Sequence, residues 1–215
     1  MENKYEQYEA HDEIFTIPNL ISFIRLCMIP IVLILILGQH NIAAAILFAL
    51  TAGTDWVDGQ IARRTDSVSK LGQLLDPAVD RLLLIFTVVG LLIIGRLPLW
   101  IIVFVLARDL LMLCGGYVLL HRFGARVPVI FAGKLATTLL YVGFAVLILD
   151  APLMAGLGWC DFSWLPLFNQ SMYPAGFWFV YAGLILCIFT TIYYLVQGVM
   201  TWRDCSAKER AKASE

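Results

Sequence analysis

The sequence contains few charged residues, and their signs nearly cancel. Of its 215 residues, 14% are charged and 60% are hydrophobic, with 15 basic against 16 acidic side chains. A chain this close to neutral has no broad basic field for binding nucleic acid, so a nucleic-acid partner is not predicted. So apolar a composition is typical of a chain whose solvent is mostly lipid, and it predicts an integral membrane protein.

Cysteine motifs, a signal peptide and internal repeats are also missing. The five cysteines show no CxxC spacing, which predicts neither a disulfide framework nor a zinc site. The segment 1–18 lacks the basic start and small-residue cleavage site of a signal peptide, so we expect it to be retained as a cytoplasmic segment. The sequence shows no repeat of about 20 to 50 residues, and the inverted repeat of spans that marks many transporters is not evident.

Six segments are long and apolar enough to cross a bilayer, which takes about 20 residues per helix. We predict spans at 19–38, 41–64, 72–95, 98–120, 131–149 and 174–201. Short connectors join most of them, so the predicted fold is an all-α integral membrane bundle of six transmembrane helices. This bundle forms one domain, residues 19–202, and a charged cytoplasmic tail, expected to be solvated and partly helical, follows at 203–215.

Basic residues fall almost entirely on one side of this arrangement. The outer connectors hold Arg96, and the long connector 150–173 has tryptophans but no lysine or arginine, as expected of a loop at the membrane interface. The other side receives Lys4, Arg63, Arg64, Lys70, Arg122, Arg126, Arg203, Lys208, Arg210 and Lys212. By the positive-inside rule, both termini are predicted to be cytoplasmic.

The densest charge lies at the end of the second span, in the stretch TDWVDGQIARR. On a helix, five of its residues share one stripe: Asp55, Asp58, Gly59, Ala62 and Arg63. The third span begins with a similar stripe of Gly72, Asp76 and Asp80. Because the connector between the spans is short, we expect the two stripes to face each other near the cytoplasmic surface.

Four carboxylates brought together at membrane depth repel one another, so we expect cations between them. Oxygen ligands favour Mg²⁺ or Mn²⁺ over zinc, and two such ions suit a phosphoryl displacement. Gly59 and Ala62 would leave room for a phosphorylated ligand, and Arg63 could contact its phosphate. For Gly72 by itself, close packing of two helices is the favoured interpretation.

These eight positions fit the pattern D-x2-D-G-x2-A-R-x8-G-x3-D-x3-D, with every element and both long spacings intact. On this motif the chain resembles the CDP-alcohol phosphotransferase family, and its six-span plan is similar to that family over most of the chain. The resemblance implies a homodimeric enzyme that transfers a phosphatidyl group from CDP-diacylglycerol to an alcohol and releases CMP.

The resemblance also implies roles for the motif residues. It implies that two divalent ions bind Asp55, Asp58, Asp76 and Asp80, and that Asp80 is also the base for the acceptor hydroxyl. It implies that the CDP moiety is bound by Asp58, Gly59, Ala62, Arg63 and Gly72. No histidine or cysteine lies on either stripe, so we predict a single in-line displacement without a covalent enzyme intermediate.

Four further stretches resemble the phosphatidylglycerophosphate synthase and cardiolipin synthase branch of the family. They are IPNLISFIRL (17–26), LLDPAVDR (74–81), ARDL (107–110) and GKLATT (133–138). This resemblance implies glycerol 3-phosphate as the acceptor and a location in the inner membrane of a bacterium, with the active site facing the cytoplasm. Arg81 stands where the glycerol phosphate enzymes commonly have lysine, which keeps phosphatidylglycerol open as the alternative acceptor.

Acceptor contacts are predicted among basic residues of other spans. Lys134 shares a stripe with Thr137, Thr138 and Tyr141 that would suit a phosphate, although a lysine reaching for the interface explains it equally well. Arg108 lies in mid-span, where a substrate contact and a structural ion pair are both open, and its neighbour Asp109 is expected to be a poor partner.

Arg25 lies about two turns into the first span. At that depth it is a candidate for binding a lipid phosphate, for anchoring a carboxylate of a neighbouring helix, or for reaching to the interface. A transporter that binds a coupling ion through its aspartates is a remote alternative for the whole chain. The position of the aspartates near the cytoplasmic end of the spans, away from the midplane, speaks against it.

Overall fold

The structure is a computed structural model that describes the backbone of residues 17–65, 70–123, 130–159, 162 and 164–213. Side chains are described for residues 20–54, 78–118, 121, 130–159, 162 and 164–203. This part of the chain is mostly helical, with six α-helices and one antiparallel two-stranded hairpin. The helical class predicted from the sequence is therefore confirmed.

The helices are α1 (Ile17–Leu37), α2 (Asn41–Thr65), α3 (Lys70–Ile93), α4 (Leu99–Phe123), α5 (Phe131–Leu149) and α6 (Gly176–Ala213). Each begins within two residues of a predicted span. The end of α6 differs, because the helix runs to Ala213 and the predicted span stops at 201. The residues beyond 201 are polar but rich in Ala, Lys, Glu and Arg, which favour helix outside a membrane as well.

Four helices are long and apolar enough to cross a membrane, by length and composition. The segments are Leu20–Leu37, Leu99–Val118, Phe131–Leu149 and Gly176–Arg203, and in α2 the apolar segment Asn41–Thr54 is shorter. Large apolar side chains such as Ile34 and Ile185 lie exposed on these helices, as expected of surfaces in contact with lipid. The count applies to the described residues, and six spans in one catalytic domain stay a prediction.

The chain divides into two compact units. Unit 1 contains α1, α2, α3 and the segment Ile148–Asp150. Within it α1 packs against both α2 and α3, with Ile29 and Val32 in the buried core. Gly90 of α3 allows a close approach to α1, because a Cβ atom there would lie 3.0 Å from Leu33 Cδ1. Helix α1 thus supports both helices that carry the motif.

The end of α3 is fixed by a glycine turn. Gly95 has φ of 72°, a conformation that glycine adopts without steric cost. Its N–H donates to Leu92 O at 2.9 Å, and the next N–H, of Arg96, donates to Leu91 O at 2.9 Å. This pair of bonds is the Schellman arrangement that closes a helix, and it places Arg96 just beyond the end of α3.

Unit 2 contains α4, α5 as far as Leu147, the hairpin and α6. Helix α4 packs on α6. Helix α5 approaches α6 closely at glycines: a Cβ atom at Gly143 would lie 2.7 Å from Val180 Cγ2, and one at Gly183 would lie 3.0 Å from Leu140 Cγ. Small residues at a helix contact let two membrane helices pack backbone to backbone.

The connector between α5 and α6 contains the hairpin. Strands β1 (Leu153–Ala155) and β2 (Met172–Pro174) pair antiparallel, with Met154 opposite Tyr173. The sequence predicts an interfacial loop here and no strand, because three-residue strands leave no readable periodicity. Trp159 and Trp164 lie exposed between the strands, which fits the interfacial position expected of this segment.

Candidate active site

Both halves of the sequence motif lie on helices, as predicted. The second half of α2 contains Asp55, Asp58, Gly59, Ala62 and Arg63, and the first half of α3 contains Gly72, Asp76 and Asp80. Of these eight residues, Asp80 has a described side chain, and the other seven side chains lie outside the described part. The meeting of the two stripes therefore stays a prediction.

Asp80 accepts a hydrogen bond from a buried arginine of α1. Arg25 Nη2 lies 2.5 Å from Asp80 Oδ1, and the two side chains form an ion pair. The Arg25 side chain is 1% exposed, whereas the Asp80 side chain is 37% exposed. Asp80 is therefore anchored from within unit 1 and yet accessible from outside it.

Arg25 has a second partner on α2. Its Nε donates to the backbone carbonyl of Thr51 at 3.1 Å, in a buried hydrogen bond. Thr51 precedes Asp55 by one helical turn. A guanidinium removed from water is costly unless its donors are satisfied, and here they are directed at groups on two different helices. One side chain of α1 thus joins α2 to α3 beside the motif.

These contacts exclude one interpretation left open for Arg25 and support another. Reaching to the interface would leave the guanidinium exposed, which its 1% exposure excludes. Anchoring a carboxylate on a neighbouring helix is what the structure shows. A contact between Arg25 and an acceptor molecule stays a prediction.

Divalent ions fit the donors that the motif provides. Asp55 and Asp58 are three residues apart on α2, and Asp76 and Asp80 are four apart on α3, so each pair lies on one side of its helix. Carboxylate oxygens are the ligands that Mg²⁺ and Mn²⁺ prefer. Among the described side chains no three His, Cys, Asp or Glu residues come together. Three of the four aspartates lie outside that part, so the complete ligand set stays a prediction.

In unit 2, Arg108 and Asp109 form an ion pair within α4. Arg108 Nη1 lies 2.9 Å from Asp109 Oδ1, and the side chains are 10% and 7% exposed. The expectation that these neighbours pair poorly is wrong, because the long arginine side chain can turn back along the helix to its neighbour. Arg108 Nε is buried without a hydrogen-bond partner among the described residues, so this donor could serve an anionic ligand.

The start of α5 carries the predicted acceptor stripe. Lys134 is exposed, while the hydroxyls of Thr137 and Thr138 each donate to Lys134 O at 2.9 Å. These bonds occupy the threonine hydrogens within the helix. If a phosphate binds here, its charge would be met by the lysine ammonium more than by the threonines.

Sequence reasoning missed two contacts that position these residues. The phenol oxygen of Tyr194, on α6, accepts the N–H of Ile130 at 2.8 Å, just before α5 begins. The other is the bond to the Thr51 carbonyl. Both contacts involve a backbone group, and the sequence does not show where a backbone group lies. Tyr194 gave one usable hint, because the hydroxyl of a tyrosine in an apolar helix usually needs a hydrogen-bond partner.

Comparison with known proteins identifies the family to which the chain belongs. The CDP-alcohol phosphatidyltransferase family profile matches residues 15–189. A CMP-forming cardiolipin synthase of Streptomyces coelicolor is 40% identical over 168 residues, 71% of this chain and 77% of the relative. A Mycobacterium tuberculosis protein provisionally named a cardiolipin synthase is 34% identical over 197 residues, 91% of this chain and 88% of the relative.

A third relative is named for a different acceptor. The CDP-diacylglycerol–glycerol-3-phosphate 3-phosphatidyltransferase of Bacillus subtilis is 29% identical over 150 residues, 63% of this chain and 77% of the relative. The family profile covers α1 to α5 and continues into α6, so it includes both helices of the motif. The chain is a multi-pass membrane protein that belongs to the CDP-alcohol phosphatidyltransferase family.

Proposed function

We propose that the protein transfers the phosphatidyl group of CDP-diacylglycerol to the hydroxyl of glycerol 3-phosphate, giving phosphatidylglycerophosphate and CMP. The observation that carries this proposal is the placement of Asp80, a motif carboxylate on α3 that is anchored by a buried arginine and remains accessible. Family membership and relatives named for phosphatidyl transfer support the same reaction.

The family is generally dependent on divalent metal ions. We propose that this chain holds two, Mg²⁺ or Mn²⁺, through Asp55, Asp58, Asp76 and Asp80. When bound, such ions stabilise charge on the attacking and leaving oxygens of a phosphoryl displacement. The three-residue and four-residue spacings of the aspartates on α2 and α3 are compatible with this ligand set.

In this proposal two of the metal ligands, Asp80 and Asp58, and the other residues of the motif also act on the substrates. Asp80 takes the proton of the acceptor hydroxyl, whose oxygen forms a bond to the phosphorus that carries diacylglycerol. The bond from that phosphorus to the CMP oxygen breaks, and CMP leaves with the electron pair. Arg63 contacts the diphosphate, Gly59 and Ala62 leave room for it, and Asp58 and Gly72 complete the CDP contacts.

Glycerol 3-phosphate requires a cationic partner for its phosphate. Lys134 is exposed at the start of α5, and buried Arg108 has a donor without a described partner. We propose Lys134 and Arg108 as the main acceptor contacts, with Thr138 and Arg25 as further candidates. A water-soluble, doubly charged acceptor would depend strongly on such cations.

Phosphatidylglycerol is a second candidate acceptor, with cardiolipin as the product. The observation that favours it is similarity: relatives named for cardiolipin synthesis are 40% and 34% identical, against 31% for one named for phosphatidylglycerophosphate synthesis and 29% for one named for transfer to glycerol 3-phosphate. Both acceptors present a primary hydroxyl, so the same displacement serves either molecule.

The acceptor is assigned by supplying purified protein with CDP-diacylglycerol, Mg²⁺ and one alcohol at a time. We expect CMP release with glycerol 3-phosphate and phosphatidylglycerophosphate as the lipid product. Release with phosphatidylglycerol alone, with cardiolipin formed, would assign the second function. Absence of CMP release with either alcohol, in protein that binds Mg²⁺, would overturn both.

We further propose six transmembrane spans, both termini in the cytoplasm, and a homodimer in the inner membrane of a bacterium. The concentration of basic residues in the connectors on the side of both termini supports this orientation. Labelling of single cysteines from either side of sealed vesicles tests it. A residue of the hairpin should react from outside, and one beyond residue 203 should react from the cytoplasmic side.

A further inference from the structure

Two arginines of unit 1 each connect several elements, and they provide a matched pair. Arg25 joins α1 to Asp80 of α3 and to the Thr51 carbonyl of α2. Arg96 Nη1 lies 2.9 Å from Asn41 Oδ1 and 2.8 Å from Ile148 O, and its Nη2 lies 3.0 Å from Asp150 Oδ2. Both arginines therefore stabilise the packing of unit 1. A role of Arg25 in the reaction has to be distinguished from this shared structural role.

The partners of Arg25 distinguish it from Arg96. The Thr51 carbonyl belongs to the helical turn that leads into Asp55, and Asp80 is the last aspartate of the motif. The first two aspartates lie on α2 and the last two on α3, so the distance between these helices determines whether all four can share the same ions. Arg25 bonds to both helices directly, next to the motif.

The geometry of the guanidinium suits this task. Its Nε and Nη2 donors are fixed in one rigid plane, so a single group can hold a carbonyl and a carboxylate at a set separation. A lysine has one nitrogen on a flexible stem and would retain the charge without this spacing. The charge and the spacing can therefore be separated by a conservative substitution.

We propose that Arg25 is a positioning residue for the phosphatidyl transfer: it fixes the carboxylate of Asp80 relative to the turn of α2 that precedes Asp55. This inference rests on the proposed function, because it assigns Arg25 a role in assembling the metal and base residues of that site. In this role Arg25 acts through Asp80 and the α2 backbone, and no contact with the reacting atoms is part of it.

The test compares R25K with R96K in purified full-length protein. Partners that orient metal ligands typically contribute about 10-fold to 100-fold to activity or metal affinity. We expect R25K to lower kcat by about that factor and to raise the Mg²⁺ concentration needed for half-maximal activity, with KM for CDP-diacylglycerol changed by less than about twofold. In R25Q, which also lacks the charge, we expect kcat to fall at least as much as in R25K.

The matched control is R96K, for which we expect a lower melting temperature and an unchanged kcat per folded molecule. A readout independent of turnover is the rise in melting temperature caused by saturating Mn²⁺, which should be smaller in R25K than in the wild type and unchanged in R96K. Since a merely structural role would not alter this metal-dependent rise, it separates positioning from general stability.

Several results would overturn the inference. One is R25K with wild-type kcat and metal dependence, and another is an equal loss in R25K and R96K. Failure of both R25K and R25Q to fold while R96K folds would assign Arg25 to folding alone. Failure of the proposed function looks different, because the wild-type protein itself would then release no CMP with any alcohol.

Discussion

Arg96 holds α2 at its first residue and Arg25 holds it near its middle. The two regions of unit 1, called here the Arg96 end and the Arg25 end, differ in what is held. Asn41 and Thr51 are ten residues apart on α2, about 15 Å along the helix axis. Arg96 is 15% exposed and binds an amide, a carbonyl and Asp150, whereas Arg25 is 1% exposed and binds a carbonyl and Asp80. Both arginines pair with a carboxylate and a backbone carbonyl, so the functional region is recognised by which carboxylate and which helical turn its arginine binds.

The largest expected difference is between Asp80 and Asp150, the carboxylates paired with the two arginines, in their effect on activity. Asp80→Asn removes the proposed base and a metal ligand, so we expect kcat for CMP release to fall by about 100-fold to 10,000-fold. Asp150→Asn, which weakens the matching ion pair of Arg96, should leave kcat within about twofold of the wild type. Steady-state CMP release by purified variants measures both, and an Asp80→Asn enzyme with an intact rate would remove Asp80 as the base.

The next largest effect is expected for stability at the Arg96 end. Arg96→Ala leaves Asn41, the Ile148 carbonyl and Asp150 without this partner, at a cost of about 2 kcal/mol in the free energy of unfolding. Melting temperature in detergent measures the loss, and CMP release per folded molecule should not change. A kcat reduced as strongly as in the Asp80 variant would show that the two ends do not differ in function.

A smaller effect at the same end would refine this comparison. Asn41→Ala removes the amide oxygen that accepts from Arg96 Nη1 at 2.9 Å, but the arginine keeps its other two partners. We expect a loss of about 1 kcal/mol, measured as a drop in melting temperature smaller than that of Arg96→Ala. An equal drop in the two variants would mean that Asn41 accounts for most of the stabilisation by Arg96.

Most of the helical framework could be predicted from the sequence, because apolar runs of span length leave few alternatives. The start of α5 at Phe131 matches the predicted span. The end of α6 could not be predicted from hydropathy, since an apolar run marks where a membrane ends and not where a helix ends. The hairpin of β1 and β2 was missed because its strands have three residues each.

For the candidate site, the sequence indicated residues but few of their contacts, and the ligand role of the aspartates stays a prediction. Regular spacing identified the aspartates, and the depth of Arg25 in α1 indicated an anchored carboxylate among other possibilities. The contact with the Thr51 carbonyl could not be foreseen, because it depends on how α1 and α2 pack. For Arg108 and Asp109, helical projection alone gave the wrong answer, since it ignores the length and flexibility of the arginine side chain.

The most direct test of the account is to count the ions bound by the protein. Mn²⁺ binding to purified protein, followed by electron paramagnetic resonance without substrates, should reveal two ions per chain in the wild type and in Asp150→Asn. Asp80→Asn should bind fewer ions or bind them at least about 10-fold more weakly, because it loses one carboxylate ligand. Equal Mn²⁺ binding by wild type and Asp80→Asn would contradict a metal site that includes Asp80.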